Sequence, residues 1–88
     1  MEDRVEALIK TSLEQRKVGN LIEAYRHSKI ALSIEPNNAH TNYNFGDLLA
    51  NYGKLLDSVG YLKKAVELMP SRGEFWLALI KVLSASGR

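Results

Sequence analysis

The side chains able to do chemistry in this 88-residue chain are few: two histidines, His27 and His40, isolated acids such as Asp47 and Asp57, and no cysteine at all. A metal site would need several such ligands on one face. The histidines instead fall on different predicted helices with no second histidine four residues away, and no thiolate is there to help. Nucleophilic catalysis would need an activated Ser, Cys or Lys, but no Gly-x-Ser-x-Gly turn, His-Glu-x-x-His pair or glycine-rich phosphate loop is present. These residues predict no enzyme, no catalytic or metal-ligating residues and no cofactor. What remains is polar and apolar recognition, which depends on the elements that set those side chains side by side.

Those elements announce themselves by repetition. Gly19 and Gly53, Ala31 and Ala65, and Pro36 and Pro70 are all separated by one and the same offset, and that offset also carries Gly53 onto Gly87. A fixed period of about 34 residues marks stacked helical units. Within each unit the apolar residues recur at helical intervals, as in Val5, Leu8, Ile9 and Leu13, or Phe45, Leu48, Leu49 and Tyr52. Glycine closes the first helix of a unit and proline stops the second, since Pro36 and Pro70 offer no amide hydrogen and disfavour the α region for the residue before them. Five helices follow, near 3–17, 21–34, 39–52, 55–68 and 73–86. Their expected N-terminal caps are Asn20 with Glu23, Asn37 or Asn38, and Ser71 with Glu74. The chain reads as one domain, 1–88, with units at 5–38 and 39–72 and the first helix of a third at 73–88.

Composition agrees with this. The sequence is 45% hydrophobic and 25% charged, so it can bury a core, and its net charge of +2 comes from scattered basic residues interleaved with acids. That pattern selects neither nucleic acid nor a membrane surface. The N-terminus lacks the form of a secretory signal and no apolar run reaches about 20 residues. Absence of cysteine makes a reducing, cytoplasmic setting the default.

In the middle unit, Phe45-Gly46, Leu49, Gly53, Leu62, Ala65 and Pro70 stand at the spacing of the tetratricopeptide repeat, with Asn42 and Ser58 replacing a large residue and an alanine. The first unit keeps Leu8, Gly19, Ala24, Ala31 and Pro36, and the third brings the large residue as Trp76. The chain therefore resembles the tetratricopeptide repeat family. The resemblance implies an all-α, right-handed solenoid of helical hairpins, here two and a half units, acting as a protein-interaction scaffold. It also implies that first helices line an inner, concave groove. By spacing, that groove holds Glu6, Ile9, Lys10, Leu13, Arg16 and Lys17, then His40, Tyr43, Asn44, Asp47 and Asn51, then Glu74, Leu77, Ala78 and Lys81.

A groove of this mixed kind suits a partner peptide or protein surface, and its acids Glu6, Asp47 and Glu74 disfavour RNA. Repeats that clamp a terminal carboxylate carry basic and amide residues where this chain has Ile9, Leu13, Asn44, Glu74 and Ala78, so that mode is not expected. Asn44-Phe45-Gly46 is closer to the repeats of O-linked sugar transferases, whose asparagines form a ladder along the groove; Lys10 and Ala78 occupy the neighbouring rungs. An array serving to dock substrates for such a transferase is a further alternative. The last helix is apolar all round, so either the chain is a fragment of a longer repeat protein or Phe75, Trp76, Leu79, Ile80 and Leu83 form the surface for a homodimer or end-to-end stack.

Overall fold

A computed structural model describes residues 3–87. Five α-helices follow one another: α1 (Arg4–Lys17), α2 (Leu21–Ile34), α3 (Ala39–Asn51), α4 (Leu55–Leu68) and α5 (Gly73–Ala85). No strand occurs among the described residues. α1 pairs with α2 and α3 with α4 as antiparallel hairpins; α3 also rests on α2, and α5 on α4, so the helices stack as an all-α helical-repeat solenoid.

The same local chemistry recurs from one unit to the next. Gly19 and Gly53 have φ of +83° and +80°, values that cost an L side chain dearly, and there the chain reverses from first to second helix. The following amides then reach back to orphan carbonyls, Asn20 N–H to Gln15 O at 2.8 Å and Lys54 N–H to Leu49 O at 3.0 Å. Beyond the second helices, Asn38 N–H donates to Glu35 O and Arg72 N–H to Met69 O, both at 3.2 Å. Pro36 and Pro70 sit inside these turns.

The caps are less regular than the sequence suggests. Asn38 rather than Asn37 caps α3, its Oδ1 accepting from His40 N–H at 2.8 Å and Thr41 N–H at 3.2 Å. Asn20 Oδ1 accepts from Glu23 N–H at 3.4 Å, but Glu23 does not reciprocate; its carboxylate turns to Arg26. Ser71 does not cap α5. That place falls to Arg72, whose guanidinium donates to Glu74 Oε1 at 2.9 Å instead of capping the helix.

Small residues mark where helices cross. Ala24, Ala31, Ser58 and Ala65 are wholly buried, and a Cβ on Gly46 would meet Leu62 Cγ at 3.0 Å and Tyr61 Cβ at 3.1 Å. Around these crossings, Leu62, Val66, Phe75, Leu79 and Val82 form the core between α4 and α5, with Tyr43 and Ala39 reaching in from α3. Tyr25, Phe45 and Tyr61 form a chain of ring contacts at 5.4 and 4.9 Å between the two hairpins.

Candidate functional site

The inner groove is built from α1, α3 and α5. The register of α1 against α3 is held by Arg16, which crosses from the last turn of α1 to Asp47 in the middle of α3 at 2.6 Å. With the Asn51 amide turned so that its oxygen faces the guanidinium, Asn51 Oδ1 also accepts from Arg16 Nη2 at 2.9 Å and Nε at 2.6 Å. Arg16 is thereby consumed as a strut. Both partners are about a quarter exposed, so the pair contributes at most about 1 kcal/mol, but its fork fixes two helices at a defined spacing.

On either side of this strut the groove differs. Towards α1 it is lined by Glu6, Ile9, Lys10, Leu13 and Lys17, facing His40 and Asn51. Leu13 is 44% exposed there, and neither Lys10 nor Lys17 has an ion-pair partner among the described residues. Towards α5 the lining is Tyr43, Asp47, Glu74, Leu77, Ala78 and Lys81. Tyr43 is held by its ring, stacked on Phe75 at 4.6 Å, while His40 meets the same ring edge-on at 5.6 Å. Burial, and then the nearby Asp47 and Glu74 carboxylates, push the Tyr43 phenol above its ordinary value, so it stays a neutral donor throughout the physiological range.

Asn44 departs from the sequence expectation. It is 3% exposed and points between units, with Nδ2 donating to Ser12 Oγ at 3.3 Å, while Ser12 donates onward to Ala24 O at 2.9 Å. It is expected in the groove from its spacing, but its buried amide is not presented there. Ala78, at the same place in the next unit, is buried in the same way. The reason is geometric: this position faces the preceding unit, and Lys10, over which no described unit packs, is exposed there.

The apolar face of α5 is also smaller than expected. Phe75 and Leu79 are 1% and 7% exposed, buried against α4 and α3, and Leu83 is partly covered. Trp76 and Ile80 do remain open, and Leu77 joins them. The sequence reading also missed a link between Trp76 and the turn before it: the indole Nε1 donates to Pro70 O at 2.8 Å, as Asn42 Nδ2 does to Pro36 O at 2.9 Å. Both donors stand six residues after the proline, a recurrence at the repeat offset that was visible in the sequence though its chemistry was not.

His27 and His40 are unconnected. His27 Nδ1 lies 2.9 Å from the Glu23 carbonyl oxygen within α2, and no cluster of metal-ligating side chains occurs among the described residues. No described helix is long and apolar enough to cross a membrane.

The chain matches no protein-family profile and no curated protein sequence. It is similar to solved structures. Against a variant of the Thermobaculum terrenum O-GlcNAc transferase the TM-score is 0.90 at 27% identity, covering 99% of this chain and 18% of that one. Against a variant of MamA it is 0.82 at 22% identity, covering 99% and 64%. The chain thus spans under a fifth of the first neighbour and just under two thirds of the second. Both are tetratricopeptide-containing proteins, and this chain has a tetratricopeptide-like helical-repeat fold, the architecture of a protein-interaction scaffold.

Proposed function

We propose that the chain binds an extended peptide or protein segment in the groove along α1, α3 and α5, using Ile9, Leu13, Lys17, His40, Tyr43, Asp47, Asn51 and Lys81. The observation that supports this most is the trough beside α1. Ile9 and Leu13 form an open apolar floor there, flanked by Lys10 and Lys17 and backed by a strut that keeps α3 from closing over it. An apolar anchor of the partner would shed water against Leu13, while the unpaired lysines and the Asn51 amide meet its polar backbone or acidic groups. Asn44 is left out of this set because it is buried.

Among the described residues nothing in the groove sets a nucleophile beside a base, and in this reading the chain binds its partner without acting on it. The likeness to part of a sugar transferase favours a role in presenting a substrate, should the chain form part of a larger enzyme.

The test is a peptide-display selection on the immobilised chain, with amide-shift mapping of the selected peptides and a Leu13→Asp variant. Leu13 is exposed, so the variant should melt like the parent. It should lose binding by about tenfold or more, as for a central apolar contact. Selected peptides that bind Leu13→Asp equally well, or that shift only α2 and α4, would remove the groove from consideration.

A further inference from the structure

The exposed face of α5 has a counterpart in each earlier unit. Moving back by one repeat offset, Trp76, Ile80 and Leu83 fall on Asn42, Gly46 and Leu49, and by a second offset on Leu8, Ser12 and Gln15. In those units the face is covered by the second helix of the hairpin, α4 or α2. Such cover depends on a small residue at the crossing. Gly46 is already so close to α4 that a single added carbon would lie 3.0 Å from Leu62, and Ser12 Oγ is 2.9 Å from the α2 backbone oxygen of Ala24. At this place α5 carries Ile80, four carbons larger than glycine, and it is 56% exposed. A helix with a leucine at the crossing, seated as α4 seats on α3, would clash with Ile80; whatever covers this face must carry its own complement to that side chain.

We propose that the occupant is a second copy of α5, packed antiparallel about a two-fold axis. The distribution of side chains along the helix is self-complementary about one point. Trp76 and Ile80 are symmetric about the level of residue 78. Glu74 and Lys81 are symmetric about a level half a residue lower, a difference of about 0.75 Å along the axis. Leu77, 56% exposed, lies within one residue of both levels, about 1.5 Å at most along the axis. A two-fold there sets Trp76 of each copy against Ile80 of the other and brings the two Leu77 side chains close to the axis, staggered by about 3 Å. It also levels Glu74 with the other copy's Lys81, twice over.

Glu74 and Lys81 are seven residues apart, hence on the same flank of the apolar stripe, and equivalent flanks are the ones that meet in an antiparallel pair. Lys81 has no ion-pair partner among the described residues, and Glu74 spends one oxygen on the exposed Arg72. Trp76 is pre-set for the contact, because its bond to Pro70 O holds the ring in place with 43% of the residue still exposed. At the opposite end of the stack, α1 presents the charged Lys10 and Glu14 outward.

The experiment is light scattering after gel filtration over a wide dilution range, on the whole chain and on four variants at exposed positions, each checked by thermal melt. The parent should pass from dimer to monomer on dilution, and Ile80→Glu should stay monomeric. Glu74→Lys or Lys81→Glu alone sets two like-charge pairs across the axis and should raise the dissociation constant by about tenfold. The double reversal E74K/K81E should recover most of that loss. A parent monomeric at the highest attainable concentration overturns the proposal, and so does a dimer that ignores Ile80→Glu or whose charge reversals fail to compensate each other. The α5 end of the groove, Lys81 included, lies within this interface, but the trough beside α1 is lined by no residue of α5, so Leu13→Asp leaves this readout unchanged and tests the peptide site separately.

Discussion

The two complete hairpins solve one crossing in different ways. In the second, Gly46 lets α3 and α4 approach until Leu62 and Tyr61 fill the space where a side chain would be. In the first, Ser12 stands at the equivalent place and bonds the α2 backbone, and Asn44 of the next unit adds a second bond to the same hydroxyl. The polar version carries a liability that the apolar one lacks, because Asn44 Oδ1 and Gln15 Oε1 are both buried at this junction without a partner. At the corresponding places one unit later stand Ala78 and Leu49, which have nothing to satisfy. Close packing and hydrogen bonding are thus alternative ways to join the same two helices, and the second leaves free energy unclaimed.

The comparison breaks most sharply at Gly46. Gly46→Leu should destabilise by about 3 kcal/mol or more, since the clash is with a packed core leucine and with the Tyr61 Cβ and not only with a mobile chain end. Chemical denaturation measures this, and a variant as stable as the parent would show that α3 and α4 are not joined as described. Smaller effects should follow at the first junction, with opposite signs. Ser12→Ala removes two buried bonds and strands the Asn44 amide, costing about 1 to 2 kcal/mol, whereas Gln15→Leu copies Leu49, removes an orphan acceptor and should stabilise by about 1 kcal/mol. If both substitutions destabilised alike, the first junction would owe its stability to something other than this local bonding.

Much of the architecture could be read without coordinates. A constant offset located the turns, because glycine and proline act on their own backbone and need no distant partner. Helix ends were predicted to within a residue or so for the same reason. The caps were read less well: Asn38 was anticipated as one of two candidates, but Ser71 was not outcompeted by any sequence signal, only by where the turn after Pro70 places the chain.

The groove and the end face divide along the same line. Spacing alone placed Leu13, Asp47 and Lys81 on one side of their helices, but it treated Asn44 as their neighbour, and the helical angle separating Asn44 from Asp47 is too small for a wheel to tell a groove from a seam between units. Likewise Phe75 and Trp76 are adjacent and equally apolar, yet Tyr43 and His40 cover one ring and leave the other open.

By itself, then, the sequence determined the number of helices, their order, the turns between them and the period that stacks them, all of which follow from short-range backbone preference and local apolar periodicity. Only the tertiary structure decided which polar residues are spent holding units together and which are left exposed without an ion-pair partner among the described residues. Arg16 and Asn44 are consumed and Lys17 and Lys81 are not, because that outcome depends on the distance and angle at which two helices cross, quantities set by the volumes of all the side chains between them.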